Sequence, residues 1–165
     1  MTVDNAPLFD TEHAAFMQGG VSITVAACDR ANVPAQTRAL GCRIAMDRRS
    51  VTVFVSAPQA AQVIECLREH DAIAVVFSEP STHRTVQLKG LGVTVGALEN
   101  GDLQRMADYR AAFGREIAPH GFDQRRVHTL LAHPANEIVT LAFTPTSAFS
   151  QTPGPKAGEP LRSAT

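Results

Sequence analysis

Two short polar connections limit what this chain can fold into. Residues 29–34 (Asp-Arg-Ala-Asn-Val-Pro) and 47–50 (Asp-Arg-Arg-Ser) separate three apolar, β-rich runs at 21–27, 36–46 and 51–55. Connections of four to six residues join antiparallel neighbours, whereas a parallel crossover needs a dozen or more. The first third of the chain is therefore expected to be an antiparallel meander, and a doubly wound α/β architecture is disfavoured.

Around that meander the period of the apolar residues changes several times. A short helix is expected at 11–18, capped by Asp10 or Thr11 and stopped by Gly19-Gly20. After Pro58, which suits a first helical position, Ala60, Val63, Ile64 and Leu67 recur at helical spacing. Residues 72–77 are almost wholly apolar and read as a strand buried on both faces. Two further helices are expected at about 101–113 and 123–132, and a last strand at 137–143. From Thr144 onward Pro, Gly, Ser and Thr dominate, the composition of an extended tail. The expected fold class is mainly β (α+β): a six-stranded antiparallel split β-barrel with flanking helices. Residues 1–150 form its single domain and residues 151–165 an extended tail.

The most informative stretch is 81–95. With period two, Val86 and Leu88 fall on one face, while Thr85, Gln87 and Lys89 fall on the other beside His83. Gly90 or Gly92 marks a bulge or a close approach. A row of hydrogen-bonding side chains on one face fits either a ligand-bearing surface or a solvated one.

Composition narrows the class. The chain has 165 residues, a net charge of −1 and a pI of about 6.6, which argues against a dedicated nucleic-acid binder. No apolar run reaches the roughly 18 residues of a membrane span, and the first residues lack a signal peptide's pattern. Cys28, Cys42 and Cys66 are odd in number and widely spaced. They are expected to be reduced packing residues in a cytoplasmic protein. His128 and His133 are five apart and diverge on a helix, so no metal site is expected.

The order of elements, with Pro34 and Arg38 in the second strand and Arg84-Thr85-Val86-Gln87-Leu88-Lys89-Gly90 in the central one, resembles the pyridoxamine 5′-phosphate oxidase-related family of FMN-binding split barrels. The resemblance covers residues 20–150 and implies a homodimer with FMN in a cleft at the subunit interface and a small-molecule substrate. It also implies cofactor-binding roles. Arg38 and Arg43 match two basic positions near the flavin phosphate, and arginine's fork suits phosphate oxygens. The same two residues also read as surface arginines on an edge strand. Thr85 matches a ring-contacting glutamine, with Gln87 and Lys89 on the same face. The family's Ser-Arg-Lys clamp falls at Gln59-Ala60-Ala61, which carries no charge. Ser56, Gln59 and the helix start after Pro58 remain to meet an anion. Strict pyridoxamine phosphate oxidase activity is therefore not expected, and no catalytic residue is assigned. Two functions stay open: an FMN-dependent oxidoreductase, or a non-catalytic binding or sensor protein holding haem or another planar cofactor.

Overall fold

A computed structural model describes residues 6–161. In chain order it contains α1 (Thr11–Met17), β1 (Ser22–Cys28), β2 (Pro34–Arg38), β3 (Cys42–Ile44), β4 (Val51–Ser56) and α2 (Ala61–Glu69). There follow β5 (Ala72–Ser78), β6 (Thr85–Gly96), α3 (Asp102–Ile117), α4 (Gln124–Leu131) and β7 (Ile138–Ser150). The strands form one antiparallel sheet in the order β2-β1-β5-β6-β7-β4-β3.

The sheet curls because its two longest strands, β6 and β7, pair along most of their length through two register shifts, at Lys89/Gly90 and Leu91/Thr94. Bulges of this kind bend a ladder and increase its twist. The bend needs Gly90: a Cβ there would overlap the Phe143 ring and lie 2.7 Å from the Thr144 carbonyl oxygen. At the outer end of the bend, the Asp71 carboxylate accepts the Gly92 and Val93 amides at 2.9 and 2.7 Å. The interior of the curl is the core, filled by Ile23, Val25, Phe54, Val75, Phe77, Leu88 and Leu141, all fully buried. Helix α2 packs its Val63, Ile64, Cys66 and Leu67 side inward, against β1 and β2.

Three expectations change. The run 36–46 is not one strand in a meander: it divides into β2 and β3, which lie at opposite edges of the sheet. The linker carries the chain across the split. Ala39 N–H donates to the Ile23 carbonyl of β1 at 2.9 Å, and Leu40 N–H to the Phe54 carbonyl of β4 at 2.7 Å. Gly41, at φ 134°, makes the turn, a conformation open chiefly to glycine. Counted through that linker there are six strand paths, and as hydrogen-bonded segments there are seven. Second, β7 continues to Ser150 instead of ending near Phe143, because its second half pairs with the central strand. Third, β5 is not buried on both faces: its burial alternates, with Ala72, Ala74 and Val76 partly exposed. The strand buried on both faces is β4, which lies between β3 and β7 and carries Thr52 and Ser56 into the interior.

Candidate functional site: the outer face of the central strands

Pairing registers lay the outward-facing side chains out in rows. One row runs Arg38, Thr24, Val76, Gln87, Phe149 across β2, β1, β5, β6 and β7. The next runs Gln36, Ala26, Ala74, Lys89, Ser147 across the same strands. Val86 and Leu88 point the other way, 2% and 0% exposed. The alternation read from the sequence thus puts Thr85, Gln87 and Lys89 on one outer face, and Arg38 shares that face from the far side of β1.

This face is floored by small residues. A shallow cavity of about 460 Å³ lies over Ala26, Ala74 and Gly90, with Lys89, Ser147 and Cys28 around it. Its volume falls within the roughly 300–1,000 Å³ of small-molecule sites. Small side chains on a pleated sheet leave a flat apolar surface, which suits a planar ring or a second apolar sheet.

Each polar residue on the face is held differently. Thr85 Oγ1 shares a 2.8 Å hydrogen bond with Ser78 Oγ, and its backbone N–H donates to Thr152 Oγ1 at 3.0 Å. Gln87 Oε1 accepts from Gln151 Nε2 at 3.2 Å. The Lys89 ammonium lies 5.7 Å from the centroid of the Phe149 ring, within cation–π reach.

The two arginines part company. Arg43 points to the start of α3: its Nε donates to Asp102 Oδ1 at 3.1 Å and its Nη1 pairs with Glu99 at 2.8 Å. Asp102 is fully buried, and it also accepts the Glu99 amide at 2.8 Å. A buried carboxylate needs such partners, so Arg43 anchors a helix. Arg38 stacks over Phe113 of α3, 5.3 Å from the ring centroid. It also lies beside Tyr109, whose hydroxyl donates to the Val21 carbonyl at 2.8 Å. Burial pushes the Tyr109 phenol up, and the Arg38 charge opposes that shift. Arg38 Nη1 is buried with no hydrogen-bond partner in the described structure.

Ser56 and Gln59 lie elsewhere, at the end of β4 and in the turn before α2. Ser56 is 2% exposed, whereas Gln59 is exposed. Helix α2 starts at Ala61, not at Pro58, and its cap position has no side-chain hydrogen bond. The structure therefore gathers Arg38, Thr85, Gln87 and Lys89 on one face and leaves Arg43, Ser56 and Gln59 off it. Sequence reasoning missed Gln151 and Thr152. Their only signal was polarity in a segment whose Pro and Gly content reads as a tail.

No family model and no curated protein sequence matches this chain. Solved structures do match it. HupZ of Group A Streptococcus aligns with a TM-score of 0.53 at 12% identity, over 89% of this chain and 97% of that one. A protein described as a putative pyridoxamine 5′-phosphate oxidase, from Lactobacillus delbrueckii, gives 0.53 at 9% identity, over 90% and 97%. An F420 reductase gives 0.51 at 10% identity, over 81% and 93%. At such identities the likeness is one of fold.

Proposed function

We propose that this chain, which has the split-barrel fold of the pyridoxamine 5′-phosphate oxidase-related proteins, holds FMN on the outer face of β1, β5 and β6. In this role it acts as an oxidoreductase on a small molecule. The observation that carries the reading is the row from Arg38 to Gln87. At one end is a buried guanidinium nitrogen without an acceptor. Leaving such a donor unsatisfied costs about 1–3 kcal/mol, so the site favours an anion that supplies the missing oxygen. At the other end, three strand spacings or about 14 Å away, stands Gln87, and Lys89 in the next row borders the apolar floor of the cavity, whose lining includes neither Gln87 nor Arg38. A ligand with a flat body and an anionic arm satisfies both ends.

In this arrangement Arg38 binds the phosphate, and Ala26, Ala74 and Gly90 floor the ring. Thr85 and Gln87 offer hydrogen bonds to its polar edge, and Lys89 offers positive charge. Bound FMN supplies reversible acceptance of a hydride or of single electrons, and the protein's part is to orient and tune it. Arg43 is left out of the phosphate site because Asp102 and Glu99 engage its guanidinium. Haem is the second reading: it too joins a flat body to anionic arms, and although no histidine is among the described residues lining the cavity, the free thiol of Cys28 is there to serve as an axial ligand.

We further propose that the chain works as a homodimer with this face at the interface. Strand β5 reads as buried on both sides, yet one side of it is uncovered in the single chain. Leu91 and Val95 at the end of β6 are about half exposed, at 49% and 46%. Apolar sheet surface of this kind is normally covered by a symmetric copy or a ligand.

The test is reconstitution. Purified protein mixed with FMN should shift the flavin's visible bands, and a small-molecule acceptor should reoxidise the bound flavin after anaerobic reduction. No spectral change at micromolar protein, or a Soret band formed with haem in place of flavin binding, would overturn the reading.

A further inference from the structure

Residues 151–161, set apart by composition as a tail, run back beside the end of β7. Ser150 N–H donates to the Glu159 carbonyl at 2.9 Å and Gly158 N–H to the Ser150 carbonyl at 2.7 Å. Leu161 N–H reaches the Ala148 carbonyl at 2.8 Å, and Phe149 forms a bridge with Pro160. The segment is also tied to β6: Gln151 N–H donates to the Thr85 carbonyl at 2.8 Å. Gln151 is held by its own bond to Thr85 and by its neighbour Ser150, which is bonded to the returning segment, and these ties set where its side chain starts.

That side chain reaches Gln87, and the direction of the bond matters. Gln151 Nε2 donates and Gln87 Oε1 accepts, at 3.2 Å. A glutamine amide has one carbonyl and one NH2 group, so using the carbonyl toward the tail leaves the Gln87 NH2 for the open face. We propose that Gln151 is a positioning residue that sets the hydrogen-bond polarity of this face. It turns Gln87 so that the site offers a donor and selects a ligand edge of acceptors, such as the carbonyl and imine atoms of an oxidised flavin. The consequence for flavin rests on the function proposed above, whereas the coupling between the two amides does not.

The experiment therefore has two arms on the full chain. In the first, without ligand, the side-chain amide signals of isotope-labelled Gln87 are followed by NMR. Gln151→Met, which keeps the chain length but cannot donate, should move those signals and leave the backbone signals of Val86 and Leu88 in place. Unmoved Gln87 signals would overturn the coupling. In the second arm FMN is titrated. Gln151→Met should weaken FMN a few-fold. Gln151→Glu, whose carboxylate accepts and turns the Gln87 carbonyl outward, should weaken it by about tenfold or more and shift the flavin bands. Equal affinity for wild type and both variants would overturn the proposed selection of an acceptor edge. If the NMR arm holds and FMN binds none of the three proteins, the flavin assignment and the selection built on it fall together, and the amide coupling stands.

Discussion

Gln87 and Leu88 are adjacent in sequence and sit on opposite sides of one strand, so substitutions there should separate stability from ligand contact. Leu88 is fully buried. Leu88→Ala should cost about 2–5 kcal/mol, because lost burial is compounded by a cavity. Gln87→Ala removes a side chain from the half-exposed face and should change stability by only about 0.5 kcal/mol. Paired denaturant melts read both, and the reverse order would mean the strand register is wrong. Gly90 is constrained more sharply. Gly90→Ala must push Phe143 aside or open the ladder at Thr144, and should cost about 1–3 kcal/mol. A variant as stable as wild type would show that the β6–β7 bend is not packed as described. Nothing in residue type alone shows that Asp102 is buried. An acidic residue in a helix's first turn reads as solvated, and its partner Arg43 lies 59 positions away.

Elements were legible where local chemistry decides them and obscure where distant pairing does. Helix α1 is the first kind. Asp10 caps it by accepting the His13 amide at 2.8 Å, as its place before the apolar residues suggested. That backbone hydrogen bond, with help from the His13 ring, holds the Asp10 carboxyl below its ordinary value of 3.8. A depressed carboxylate contributes stability that is present above the ordinary value and is lost as pH falls through the lowered one. Asp10→Asn should therefore flatten the stability profile below about pH 4, which thermal melts against pH would show. An unchanged acid limb would remove Asp10 as its cause. The break between β2 and β3 is the second kind. Inside a run of strand formers the one sign is Gly41, and a glycine there reads equally well as a bulge. Residues 144–150 were obscured too, because Pro145 among threonines and serines suggests the start of a tail until the central strand supplies a partner.

For the whole molecule, the apolar alternation of β1 and β6 and the short turns identified an antiparallel barrel, and the family resemblance supplied its order. What no single-chain pattern supplied was the bare face of β5. A homodimer covering that face should sediment as two chains at micromolar concentration, and a charge introduced at its centre, Ala74→Glu, should shift the mass toward one. A wild-type mass of one chain would contradict the dimer.

If this face binds a flavin through its phosphate at Arg38, an Arg38 variant should tell FMN from riboflavin. In Arg38→Ala, FMN should bind about tenfold or more weakly, the loss of a charge-assisted hydrogen bond. Riboflavin, which has no phosphate, should bind within about twofold of wild type by the same scale. Arg43→Ala serves as the control: it removes the shorter of the two arginine contacts to buried Asp102, leaving Arg105 at 3.5 Å and the Glu99 amide, lowers stability, and should affect both ligands alike. Equal losses for FMN and riboflavin in Arg38→Ala, or wild-type protein that binds neither, would contradict the account.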